Sequence, residues 1–282
     1  MFKKIIKLIL PNFIKKIINL ILKRDIRIEK NFDNWNDAIL ASSTYNDKKI
    51  FHKAKNSFIK VIKGKASYER DSVLFFDEKL NFPLISLMEK IRKKKKKNLL
   101  KVLDFGGSFG STYFQNRKYF SNNSRYIWDV IEQKQIVDFA NQSLEIKNLS
   151  FYESLSVYLK KNKPDIVLLS SVLHYLESPF SLLKLLNKKK VKYFIILKTP
   201  FFNNKSEIKI QVNPQYIYKA NYPIRIFNEY LFKSLFRKWN FKVNKINWDN
   251  QLIGDINFKS FFISKIKKKI VNAKKNKNTN IF

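Results

Sequence analysis

Seven consecutive residues, Asp104-Phe105-Gly106-Gly107-Ser108-Phe109-Gly110, have the types and spacing of a ligand-binding turn. A strand-like apolar run ends in the acidic Asp104, and a glycine-rich turn then leads towards a helix. Glycine adopts dihedrals closed to other residues and lets a ligand approach the backbone without a Cβ clash. Ligands of open α/β sheets lie beyond the carboxyl ends of the strands, where this turn would fall. A second acidic residue, Glu132, closes the next strand-like run, where a carboxylate can accept hydrogen bonds from both ribose hydroxyls. Taken alone, Glu132 reads as a surface charge; following this turn, it reads as functional.

The chemistry of the turn discriminates between ligands. The chain lacks G-x-G-x-x-G here, and a carboxylate at Asp104 would repel a pyrophosphate, which argues against a dinucleotide. No Gly-Lys-Ser/Thr follows, so the turn is not a P-loop. S-adenosylmethionine (SAM) carries an amino group and a sulfonium, so negative charge nearby is compatible with it. A purely structural glycine turn is the bland alternative. Further along, Pro164-Asp165 opens an apolar run that delivers Ser170, Ser171, His174 and Tyr175 to the same sheet edge. Ser170 and Ser171 join the expected cofactor contacts. A neutral His174 could help remove a hydroxyl proton, since imidazole titrates near neutrality, or could simply line the pocket.

Positioning such groups requires a parallel sheet. Strands are expected at Leu100–Phe105, Tyr126–Ile131, Leu149–Tyr152, 165–169 and 193–197, with helices between them, for instance 133–141 and 179–186. That alternation implies an α/β, Rossmann-like sheet with helices on both faces. Runs at 241–248 and 258–263, after a helix near 229–239, are expected to close the edge as a hairpin. Residues 31–97 read as a helical cap, with Trp35, Phe51, Phe58 and Phe75 as core anchors. Within it, Tyr68-Glu69-Arg70-Asp71-Ser72 is expected to open a helix. Residues 98–264 form the expected ligand-binding domain, and 265–282 a basic, frayed tail.

Composition sets the outer limits. The 282 residues are 45% hydrophobic and include 26 Phe, enough for a full core. There is no Cys and there are two His, which excludes a disulfide framework, a thiolate nucleophile and a multi-histidine metal site. No metal is therefore expected, and difficult chemistry falls to an organic cofactor. The net charge of +35 is compatible with an anionic partner or with a genome-wide drift towards Lys. No nucleic-acid-binding module is recognisable. Residues 1–30 form a basic amphipathic segment. In 1–24 Phe2, Ile5, Ile6, Ile9, Phe13, Ile17 and Ile21 recur at helical spacing and every charge is positive. That segment could lie on an anionic membrane surface or pack on the protein body. Lysines interrupt it too often for a membrane span. A cytoplasmic protein, peripheral at the inner face of the membrane, is the corresponding expectation.

The chain also resembles a bacterial family of class I SAM-dependent methyltransferases found among surface-polysaccharide genes. The resemblance is carried by VLDFGGSFGSTYFQNRKYF, WDVIEQ, FYESL, PDIVLLSSVLHYLESP, FIILKTPFF and VNPQYIYKANYPIRIFNE, over roughly residues 35–263. It implies a mostly parallel seven-stranded sheet ending in an antiparallel pair, with SAM held at Asp104, Gly106, Gly107, Ser108, Gly110 and Glu132. Lys198-Thr199-Pro200 stands where relatives are expected to have Arg-Thr-Pro, which keeps the charge and loses the guanidinium fork. The expected activity is O-methylation of a saccharide or cell-envelope precursor. His174, Tyr175, Lys198, Tyr222 and Arg225 are the catalytic or acceptor-lining candidates, with Tyr218 beside them. Nucleic-acid methylation, or a non-catalytic Rossmann-fold binding protein, are the competing readings.

Overall fold

The computed structural model describes residues 26–42, 48–96, 98–121, 125–203, 205–213 and 220–266. The basic segment 1–24, Tyr218 and the tail beyond Ile266 lie outside the described residues. In chain order the elements begin with β1 (Arg27–Phe32), α1 (Trp35–Leu40), α2 (Lys48–Ile62), β2 (Tyr68–Arg70), β3 (Val73–Phe75) and α3 (Phe82–Lys95). The central part follows with β4 (Leu100–Phe105), α4 (Ser111–Gln115), α5 (Arg117–Ser121), β5 (Tyr126–Ile131), α6 (Lys134–Ser143), β6 (Leu149–Tyr152), α7 (Leu155–Lys161) and β7 (Ile166–Ser170). A 3-10 turn at Leu173–Tyr175 leads to α8 (Pro179–Lys188), β8 (Tyr193–Phe202), β9 (Glu207–Val212), β10 (Asn221–Asn228), α9 (Glu229–Lys238), β11 (Phe241–Ile253) and β12 (Ile256–Lys265).

Seven strands run β6-β5-β4-β7-β8-β12-β11 across the sheet. The first five are parallel, and β12 and β11 close the edge as an antiparallel hairpin. The expected sheet is corrected in one respect. β8 runs to Phe202, and its last two residues pair in parallel with β10, which carries β9 and β1 as further antiparallel strands. The sheet is therefore mixed and ten-stranded.

Side-chain parity explains why both faces are covered. Successive residues of a strand point to opposite faces. Leu100 and Val102, Tyr126 and Trp128, Ile166 and Leu168, and Ile195 and Leu197 face one layer, with Phe58, Leu84, Met88, Phe114 and Ala140 from helices α2, α3, α4 and α6. Leu103, Val167, Leu169, Phe194 and Ile196 face the other, with Tyr158, Leu183, Leu186, Phe232 and Phe236 from α7, α8 and α9. Two-sided burial is why these strands read as continuous apolar runs. The Phe surplus is spent here, since Phe194, Phe236 and Phe241, and Phe201, Phe232 and Phe261, pack edge-on or tilted within about one ring width of each other.

The segment before β4 departs from the helical cap. β1 straddles the expected boundary at residue 30 and pairs with β9, so this segment contributes a strand to the main sheet. Tyr68 to Phe75 form a hairpin, not a helix start. Asp71 and Ser72 turn it with φ of 51° and 65°, the left-handed pair that a two-residue hairpin turn needs. Trp35 and Phe58 are buried as expected, whereas Phe75 is 38% exposed and stacks on Tyr68.

No helix among the described residues is long and apolar enough to cross a membrane.

Candidate functional site

A cavity of about 250 Å³ opens at the carboxyl edge of the parallel strands. Its floor is the glycine turn after β4. Gly106 has φ 71°, and a Cβ there would lie 2.4 Å from Cγ2 of Val172. A Cβ on Gly107 would lie 2.7 Å from the carboxyl carbon of Asp104. The chain thus wraps around the Asp104 carboxylate and presses against the loop after β7, which only glycine permits. Gly110, with φ 79°, is the residue that caps α4; it does not line the cavity and packs near Leu149 and Phe151.

Asp104 is buried and accepts a 3.2 Å hydrogen bond from the indole N–H of Trp128 on the neighbouring strand. Burial pushes its carboxyl up to about 7, opposed by Trp128 and raised further by the charge of Glu132. Glu132, at the end of β5, accepts the Ser108 N–H at Oε1 (2.9 Å) and the Gln133 N–H at Oε2 (2.8 Å). It therefore bridges the glycine turn to the start of α6. Each carboxylate oxygen has two lone pairs, so one on each remains for a ligand hydroxyl. Ser170 and Ser171 complete this wall. Ser171 has φ 53° and donates its N–H to the Leu197 carbonyl at 3.0 Å.

The opposite wall gathers the acceptor-side candidates. His174 is buried, its Nδ1 has no hydrogen-bond partner, and burial pulls its imidazole down to about 3. It is thus a neutral ring near pH 7, a hydrogen-bonding group and a poor proton store. Tyr175 donates its hydroxyl to Gln211 Oε1 at 3.1 Å, and Gln211 and Asn213 both donate to the Tyr222 hydroxyl, at 3.0 and 2.8 Å. Lys198 also lines the cavity, with φ 50° at a β-bulge opposite Ser260, whose hydroxyl accepts its N–H at 3.0 Å.

Arg225 stands elsewhere. Three positions after Tyr222 on β10, strand parity turns it to the other face. Its guanidinium lies over the Trp35 ring at 5.3 Å and donates to the Glu177 carbonyl at 3.1 Å. It ties β10 to α1 and does not line the cavity.

Several lining residues were not singled out from the sequence. Gln211 arrives on β9 and Asn213 just beyond its end; the alternating Ile208, Ile210 and Val212 of that strand are the signal that marks it. Arg70 and Asp71 arrive on the β2–β3 hairpin, whose Asp-Ser turn lacks the usual Asn-Gly or Asp-Gly mark. Of the nine left-handed non-glycine positions among the described residues, five, Asp71, Ser72, Ser108, Ser171 and Lys198, border this one cavity. Such backbone persists where the surroundings hold it, and it concentrates at functional sites.

The buried carboxyls also predict a pH response. Glu69, like Asp104, is pushed up to about 7 by burial, against hydrogen bonds from Ser111 and Ser72. The unfolded chain releases these protons near pH 4, by roughly the model-peptide values. Between those limits the folded protein holds protons the unfolded chain has lost, so stability contributed by each group falls as pH rises to 7. His174 acts in the opposite sense, and its contribution is lost as pH falls from about 6.5 towards 3. Glu69→Gln removes one carboxyl's ionisation cost. Its melting temperature relative to wild type should therefore climb by several degrees between pH 5 and pH 8, measured by calorimetry; a constant difference would contradict this.

No protein-family model matches the chain, and no curated protein sequence matches it. Solved structures are similar in fold. An amino pentose methyltransferase of calicheamicin biosynthesis from Micromonospora echinaspora, solved with SAM bound, is 10% identical over 74% of this chain and 96% of its own, with a TM-score of 0.43. An O-methyltransferase family protein from Burkholderia thailandensis is 12% identical over 86% and 80%, with a TM-score of 0.45. Magnesium protoporphyrin IX methyltransferase from Synechocystis PCC 6803, solved with S-adenosylhomocysteine (SAH), is 11% identical over 77% and 98%, also at 0.45. These are likenesses of chain path at low identity.

Proposed function

We propose that the protein is a SAM-dependent methyltransferase whose acceptor is a hydroxyl of a saccharide or cell-envelope precursor. The observation that carries the cofactor half is the Asp104–Gly107–Glu132 cradle: a glycine turn closed around one carboxylate and hydrogen-bonded to a second at the next strand end. These residues fit SAM. Glu132 keeps lone pairs for the ribose hydroxyls, and the two carboxylates favour a cationic ligand over a pyrophosphate. Ser170 and Ser171 continue that wall.

SAM supplies a methyl group already activated on a sulfonium, so the chain need only align the acceptor and exclude water. Tyr175, Tyr222, Gln211 and Asn213 present a fixed set of donors and acceptors suited to a polyhydroxylated molecule. His174, neutral and with its Nδ1 buried, shapes the acceptor side of the cavity; its low affinity for protons leaves the one released by the hydroxyl to pass to solvent. Lys198 offers a cation to a phosphate or carboxylate on the acceptor. Arg225 is given no part in the reaction.

Methyl-labelled SAM incubated with nucleotide sugars, lipid-linked sugars and polymer glycans tests the reading. Label in a glycan fraction supports it. Label in RNA or DNA, with salt-dependent affinity, moves the acceptor to nucleic acid, and well-folded protein that binds neither SAM nor SAH overturns the whole proposal.

A further inference from the structure

SAM ends in an α-amino acid, with an ammonium and a carboxylate on one carbon, and Glu132 accounts only for the ribose. A bound carboxylate needs a cation. Among the described residues lining the cavity the arginines and lysines are Arg70 and Lys198. Both act on Asp71, and Arg70 also acts on Asp104 beside the glycine turn. Lys198 is on β8, on the side of His174 and Tyr175. Arg70 is on β2, close enough to Asp104 to favour its ionisation.

The next residue is Asp71, so the tip of the β2–β3 hairpin offers opposite charges side by side. This tip is held from several directions. Glu69 accepts the Ser72 N–H at 3.1 Å and the Ser111 hydroxyl at 2.7 Å. The Ser57 hydroxyl on α2 donates to the Ser72 carbonyl at 2.8 Å. Arg70 Nη2 donates to Gln115 Oε1 on α4 at 3.0 Å, which uses one of five guanidinium donors. Those tethers sustain two left-handed non-glycine residues in a turn where strain would otherwise be relieved. They also hold a guanidinium and a carboxylate over the cavity, against the start of α4 that follows the glycine turn.

We propose that Arg70 and Asp71 clamp the amino-acid tail of SAM, the guanidinium taking its carboxylate and the Asp71 carboxylate its ammonium. The clamp rests on the SAM reading above and extends it to a part of the chain far from the glycine turn in sequence. The charged groups facing Asp71 are Arg70 on its own hairpin, Lys198 from β8 and Glu69 beneath the turn. Asp71 is exposed at the hairpin tip, yet the protein packed around its carboxyl desolvates and raises it while Arg70 and Lys198 lower it, and an arriving ammonium adds to the second effect.

Two ligands separate tail from nucleoside. SAH carries the amino-acid tail, and 5′-methylthioadenosine lacks it while keeping adenine, ribose and sulfur. Calorimetric titration of both into the full chain, for wild type, Arg70→Met and Asp71→Asn, gives the readout. Each variant should weaken SAH by about ten-fold or more, the loss of one charge-assisted contact, and change methylthioadenosine by less than about two-fold. Asp71→Asn guards against misfolding, because the Asp71 side chain makes none of the hydrogen bonds that hold the turn. Unchanged SAH affinity in both variants overturns the clamp. Equal weakening of both ligands also overturns it, since the hairpin would then support the pocket as a whole. Wild type that binds neither ligand overturns the SAM reading itself.

Discussion

Glu132→Gln should weaken SAH binding by about a hundred-fold, roughly 3 kcal/mol, with SAM affected alike. The carboxylate has two duties. Its oxygens already accept the Ser108 and Gln133 amides at 2.9 and 2.8 Å, each keeps a further lone pair, and the residue lines the cavity. A glutamine amide keeps one acceptor oxygen and puts an NH2 where the other stood. One ribose hydroxyl and one backbone N–H then meet a donor in place of an acceptor. The backbone part should also cost about 1–2 kcal/mol of stability, within what a well-folded domain withstands. Titration calorimetry checks affinity, and thermal unfolding of the same sample shows that the fold survives. Undiminished affinity would remove Glu132 from the cofactor site.

Gly106→Ala is the substitution expected to cost most in stability, about 2–5 kcal/mol. Its Cβ would meet Val172 Cγ2 at 2.4 Å, inside any tolerated contact, and φ 71° is left-handed backbone. The clash should cost about 1–3 kcal/mol and the backbone about 1–2. The two parts can be separated. Gly106→Ala combined with Val172→Ala relieves the clash and leaves the backbone cost, so the pair should be more stable than the sum of the single effects predicts. Gly110→Ala tests the other limit, since φ is 79° but its nearest contacts are at an ordinary 3.6 Å. It should lose only the backbone part. Chemical denaturation of wild type, the double variant and the single variants Gly106→Ala, Val172→Ala and Gly110→Ala measures all these terms; equal losses for Gly106→Ala and Gly110→Ala would contradict the account.

Local signals carried the part of the site that lies close together in sequence. β4, its acidic end and the glycine turn are contiguous, and Glu132 falls at the end of the next strand. Burial on both faces gave those strands continuous apolar runs, visible without a fold. β10 was hidden by Pro223. A proline disfavours a strand reading, but over 221–226 β10 is hydrogen-bonded on one side only, to β9, and meets β8 only at Phe227 and Asn228. β2 and β3 were hidden because three residues per strand is too short for a period-two pattern, and Asp-Ser resembles a helix start as much as a turn.

Arg225 shows the limit of grouping residues by nearness in sequence. Tyr222 and Arg225 are three apart, which on a helix would bring them together and on a strand sends them to opposite faces. Conversely, Arg70 and Asp71 lie more than 30 positions before the glycine turn, and Gln211 and Asn213 about 80 beyond Glu132, yet all border one cavity.

By itself, then, the amino-acid sequence determined the doubly wound α/β core, the strand ends at Asp104 and Glu132, and the need for glycine between them. These follow from apolar periodicity and from backbone chemistry, which act over neighbouring residues. Tertiary structure alone decided that His174 stays neutral far below the usual imidazole range, that Arg225 faces away, and that a strained hairpin brings Arg70 and Asp71 to the cavity. Each of these depends on which segments pack together, because burial sets the proton affinity of a side chain and pairing sets the face it presents.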